Sequence, residues 1–384
     1  MNRRAFLASL PLLYCGRLVA APSAPARFLL VFLRGGYDAA NVLVPVSSAF
    51  YYETRPNIAV PKEAAIALDG DWGLHPALAE SLHPLYQRGE AAFIPFAGTE
   101  DTSRSHFETQ DSIELGQPAG SRSYASGFMN RLAAELGAHG AISFTNQLPV
   151  AFRGQAQVAN VALNMVAKPG VDARQSALIA RMYQGTVLGA PVAEGFAARD
   201  TVMRDLGDEM VAASRNAVTA RAFEVQAQRI ARLMRGDYRL GFVDVGGWDT
   251  HVGEGGTSGQ LATRLEELGR GLAALASEMG EAWRHTVVLV ISEFGRTLRE
   301  NGNRGTDHGH GTVYWALGGA LRGARVAGEQ VRVARETLFQ DRDYPVLNEY
   351  RALLGGLFSR LYGLQGESLG RIFPGAAPKD LALV

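Results

Sequence analysis

Four short segments of this 384-residue chain concentrate side chains that hold metals and move protons. RGGYDAAN carries Asp38, GGWDTH carries Asp249 and His251, SEFGRT carries Glu293, and GTDHGHGT carries Asp307, His308 and His310. Carboxylates and imidazoles together are the ligands of divalent ions, zinc first, with manganese, calcium or magnesium as other occupants. The glycines of the last segment let its backbone bring alternate side chains inward. That segment also fits a surface turn rich in Asp, His and Gly, and Glu293 also fits an N-cap or solvated carboxylate.

A fifth segment, TEDTSRSHFETQDS, follows the apolar run AAFIPFAG and reads as a helix start. There an anion meets free N–H groups, and a metal lowers the pKa of a hydroxyl; Ser105 is the candidate nucleophile. Ser105 with Glu108 three residues later is equally a capping box. Arg104 and Arg296 flank the segments and suit bidentate binding of a tetrahedral oxyanion, or structural ion pairs. His106 is a further candidate ligand. His75, His83, His139 and His285 lack carboxylate neighbours and read as packing or surface residues.

These segments need elements to position them. Residues 28–33, 240–245 and 286–291 are short apolar runs rich in Val, Phe, Leu and Ile, which predicts buried parallel strands. Residues 91–97 and 312–317 are weaker strand candidates. Within 258–283, Leu261, Leu265, Leu268, Leu272 and Leu275 recur at helical spacing. Alternating strands and helices predict an α/β fold with a largely parallel sheet covered on both faces. Ligands of such sheets bind beyond the carboxyl ends of the strands, where Asp38, Asp249, His251 and Glu293 fall. Residues 121–236 break the rhythm, with weak strand signals over 150–163 and a Pro-free helical stretch over 197–235. They predict a mainly helical insertion or cap.

Lys plus Arg equals Asp plus Glu at 38 each, and no basic run exceeds a pair, which argues against a nucleic-acid partner. Arg3 and Arg4 precede an apolar stretch from Ala5 to Tyr14, with small residues around Ala20 to Ala26. This predicts an export signal over 1–26, of twin-arginine or of Sec type, and a periplasmic or secreted protein. The domain proper then covers 27–384. No later stretch reaches the ~20 apolar residues of a membrane span. Cys15, the only cysteine, lies in the signal, so the mature chain offers no thiol for disulfides, metal or nucleophilic attack.

The segments FLRGGYDAANVLVPV, RSHFETQD, GGWDTH, SEFGRT and GTDHGHG together resemble the exported family known as domain of unknown function 1501. That family is grouped with the alkaline phosphatase and sulfatase superfamily, which implies a three-layer α/β/α sandwich. The resemblance implies a two-metal site in which Asp38 and Ser105 face one ion, while Asp249, His251 and one of His308 or His310 face the other. The chain departs from the superfamily where Asp-His is usual: Glu293 is followed by Phe294, so one ligand is changed or supplied from elsewhere. The implied activity is metal-dependent hydrolysis of phosphate or sulfate esters of a small molecule or glycan. The alternative is a non-catalytic exported binding protein with a degenerate metal site. A redox role finds no Cys cluster or haem motif.

Overall fold

The computed structural model describes residues 26–137, 140–163, 173–197 and 223–384. Outside these lie 1–25, with the expected signal and its Arg3, Arg4 and Cys15, as well as His139 and much of the expected helical stretch 197–235. In chain order the strands begin with β1 (Arg27–Arg34), β2 (Leu43–Pro45), β3 (Ile66–Ala67), β4 (Trp72–Leu74), β5 (Ala91–Gly98) and β6 (Ala141–Ser143). They continue with β7 (Ala159–Asn160), β8 (Leu240–Gly246), β9 (Thr286–Ser292), β10 (Thr312–Leu317), β11 (Arg325–Val326) and β12 (Asn348–Glu349). Nine form one sheet in the order β11-β5-β10-β9-β1-β8-β6-β7, with β12 also paired to β5. Strands β2, β4 and β3 make a small antiparallel sheet.

The apolar runs are continuous because both faces of the large sheet are covered. Along β1, Leu29, Val31 and Leu33 enter one core, while Phe28, Leu30 and Phe32 enter the other. The first core takes the helices Phe223–Arg235 and Gln260–Met279, the second Phe128–Glu135 and Tyr350–Tyr362. The fold is thus the three-layer α/β/α sandwich. Within the span of the expected insertion, β6 and β7 extend the sheet beside β8.

One strand is reversed. β1 pairs in parallel with β8 and β9, but β10 runs antiparallel to both β9 and β5. The loops leaving β1, β5, β8 and β9 therefore share one edge with the loop entering β10. Reversal explains why the segment rich in His and Asp precedes its strand, whereas the others follow theirs.

Candidate functional site

Close backbone packing brings the loops together. Gly35, just past β1, has φ +123°, and a Cβ there would lie 2.7 Å from the backbone nitrogen of Asp249. Only glycine combines that conformation with that approach. The SEFGRT segment zips onto the segment before β10: Gly295 N donates to His310 O (3.0 Å), Thr297 N to Asp307 O (3.0 Å) and Gly309 N to Gly295 O (2.9 Å). At Gly309 a Cβ would meet the Arg296 carbonyl carbon at 2.5 Å. From β5 the chain passes to the helix His106–Leu115.

Four donors converge where these segments meet. His251 Nε2 lies 3.0 Å from His308 Nε2 and 3.0 Å from Asp249 Oδ1, and His308 Nε2 lies 3.3 Å from the same oxygen. His106 Nε2 approaches Asp249 Oδ2 at 3.6 Å. Ligand atoms of His106, Asp249 and His308 all fall within 4.8 Å of one another. A tetrahedral ion with bonds of about 2.0–2.1 Å separates its ligand atoms by roughly 3.3 Å, so the spacing fits a zinc-like ion.

The tautomers fit as well. His106 Nδ1 meets Glu293 Oε1 at 2.8 Å, His251 Nδ1 meets Asp307 Oδ1 at 3.3 Å, and His308 Nδ1 meets the Arg104 carbonyl at 2.9 Å. Carbonyl and carboxylate oxygens only accept, so each Nδ1 carries a proton, and in the neutral ring Nε2 presents its lone pair. Lone pairs 3.0 Å apart on His251 and His308 repel unless a cation bridges them, and the nearest side-chain cation, Arg296, reaches His251 Nε2 only at 3.4 Å. His106 Nε2 is buried without a hydrogen-bond partner, a further donor facing the same point.

Charge is arranged to match. Burial lowers the His308 pKa, favouring the neutral form a ligand needs. The hydrogen bond with Glu293 raises that of His106. Burial works to raise the Glu293 carboxyl, but hydrogen bonds from His106, Gln110 and Gly35 prevail and hold it low. In Asp249 burial is likewise overcome, here by the Arg296 guanidinium.

Of the expected ligands, Asp249, His251 and His308 are brought together, and His106 joins them. Glu293 and Asp307 stand behind, each bonded to the far nitrogen of a histidine. His310 points elsewhere: its ring packs 4.8 Å from Phe339, and burial pushes its pKa down to about 4. Asp38 is 1% exposed, and both its oxygens are bound by Arg55.

Neither expected oxyanion arginine is free. Arg296 donates to Gly36 O and to Asp249, and Arg104 forks onto Asp343 Oδ2 at 3.0 and 2.7 Å. Arg104 does contribute its carbonyl to His308, from a left-handed backbone of φ +54° that costs a non-glycine residue about 1 kcal/mol. Ser105 is the N-cap of the His106–Leu115 helix by backbone geometry, yet its side chain makes no capping bond, and Glu108 pairs with Arg122. The capping-box geometry is therefore absent. Arg55 and Glu254 were missed by the sequence reading, and nothing in YYETRPN or HVGEGG marks them.

Among solved structures, the chain is similar to one described as Ps i-CgsB in complex with k-i-k-neocarrahexaose. The TM-score is 0.38 at 10% identity, over 92% of this chain and 75% of that one. It is also similar to a protein in the alkaline phosphatase superfamily from Vibrio parahaemolyticus, with a TM-score of 0.34 at 14% identity over 77% of this chain. There it spans 61% of the other chain's length. Likenesses of that degree carry no information on substrate. No curated protein matches. The loops that build the donor group are the segments singled out in the sequence, and the family model that contains them, described as protein of unknown function (DUF1501), matches residues 25–373: the chain belongs to that family.

Proposed function

We propose that the chain is a metal-dependent hydrolase of phosphate or sulfate esters of a small molecule or glycan. The observation that supports this reading is the convergence of Asp249 with the Nε2 atoms of His106, His251 and His308, each imidazole backed by an oxygen on Nδ1. A divalent ion bound there supplies Lewis-acid charge and lowers the pKa of a coordinated water or hydroxyl.

The chain's own residues position the reaction. Glu293, Asp307 and the Arg104 carbonyl fix the histidine tautomers, and Arg296 keeps Asp249 ionised. Ser105 adjoins His106 at the start of a ten-residue helix, whose first N–H groups suit an anionic oxygen. Its hydroxyl, which makes no capping bond, is the proposed nucleophile: Oγ bonds to phosphorus or sulfur as the bond to the ester oxygen breaks, the hydroxyl proton passes through solvent to the leaving alcohol, and water then cleaves the serine ester to restore the hydroxyl.

One observation favours a second reading, a binding protein that keeps the ion without catalysis: Arg104 and Arg296 are both committed to internal carboxylates. Turnover of a chromogenic phosphomonoester, phosphodiester and sulfate ester by zinc- or manganese-loaded protein separates the two. We expect turnover in wild type, a loss of several orders of magnitude in Ser105→Ala with melting temperature nearly unchanged, and loss of both ion and turnover in His308→Ala. Full activity in Ser105→Ala would remove the nucleophile, and a metal-loaded wild type inert to all three esters would establish the binding reading.

A further inference from the structure

We propose that the site holds one ion per chain, and that the cation expected beside Asp38 is a side chain, the guanidinium of Arg55. The proposal rests on the metal reading of the histidine group and departs from the two-ion site that the family resemblance implies.

Asp38 cannot serve a second ion as the protein stands. Arg55 Nη2 donates to its Oδ1 at 2.9 Å, and Arg55 Nη1 donates to its Oδ2. The remaining N–H groups of Arg55 are also taken: Nε by Leu298 O (2.6 Å), Nη1 by Asn41 Oδ1 (2.8 Å) and Nη2 by Thr297 O (2.9 Å). Every one of the five guanidinium donors thus has an acceptor, in a residue with 0% exposure. Displacing it would strand a charge and two backbone carbonyls, those of Leu298 and Thr297, out of water.

The other carboxylates and histidines near Asp38 are also held by the fold. Glu293 is occupied by His106, Gln110, Gly35 N and Ser292 Oγ. Glu254 Oε2 accepts from Thr250 (2.9 Å) and Thr306 (2.8 Å), and its Oε1 is buried without a hydrogen-bond partner, in a carboxyl that burial and the Asp38 charge hold toward the neutral form. His310 lies against Phe339. Among the described residues, the ligand atoms close enough to share an ion gather at Asp249: those of His106, Asp249 and His308 lie within 4.8 Å of one another, and His251 Nε2 lies 3.0 Å from both Asp249 and His308. A dication beside Asp38 would also confront two buried guanidinium groups, Arg55 and Arg296, whose positive charge already acts on that carboxylate.

The test is stoichiometry. Wild-type protein is saturated with zinc, and separately with manganese, then desalted and read by elemental analysis and native mass spectrometry. We expect one ion per chain, and one ion retained in Asp38→Asn. Two ions per chain in wild type would overturn the proposal, as would loss of an ion in folded Asp38→Asn. No ion at all would instead sink the metal reading of the histidine group, a distinct result. Should Asp38→Asn fail to fold, the wild-type count still decides.

Discussion

Two ionised clusters lie at the same sheet edge, and they are built on opposite rules. In the Asp38–Arg55 cluster every guanidinium donor meets an acceptor, and both residues are sealed from water. In the His106–Asp249–His251–His308 cluster the far side of each imidazole is tied down, while the near sides point at one another and share Asp249, with Arg296 Nη1 3.4 Å from His251 Nε2. Saturated ions hold a fold in register; converging unsatisfied lone pairs wait for a ligand. Asp38 and Asp249 both follow a strand of the same sheet, and only their partners tell their roles apart.

The largest effect should come from breaking the saturated cluster. Arg55→Met leaves Asp38 buried without its cation and should cost about 3–5 kcal/mol of unfolding free energy. Urea unfolding at pH 7 checks it. His308→Ala, from the partly exposed cluster, should cost far less in the same assay on metal-free protein. Equal losses would erase the distinction.

Next in size is the support behind the open cluster. Glu293→Gln keeps the shape but removes the carboxylate from His106 Nδ1, and should weaken zinc binding roughly 10–100-fold. Competition titration against a chelator reads it, and unchanged affinity would mean that His106 is not a ligand.

The smallest effect concerns pH. Burial, followed by the neighbouring Asp38 charge, raises the Glu254 pKa well above its ordinary value. Its folded form therefore holds a proton that the unfolded chain releases near pH ~4.3. The stability it contributes is complete below that pH and is lost as pH rises through the raised value. Asp38 works in the other direction: burial raises its pKa, but Arg55 prevails and lowers it, so its contribution is present above its unfolded pKa and lost as pH falls. Glu254→Gln should therefore narrow the stability gap to wild type, or reverse it, as pH rises from 5 to 8 on denaturant curves. A gap constant across that range would mean that Glu254 is not protonated in the folded state.

The sequence by itself determined the sheet and the family. The runs in β1, β8 and β9 read as strands because burial on both faces leaves no room for polar alternation, and the two weaker runs, β5 and β10, obeyed the same rule. Glycine beside His and Asp likewise marked the segments that could bend ligands toward one point. Tertiary structure decided which of those ligands meet. His106 and Glu293 are 187 positions apart, and His251 and His308 are 57 apart. Their pairing follows from strand order and from the reversal of β10, which no local periodicity encodes. The same holds for Arg55: its guanidinium reaches Asp38 across 17 residues and the Leu298 carbonyl across 243, and no local pattern in YYETRPN marks a residue whose partners are set by packing.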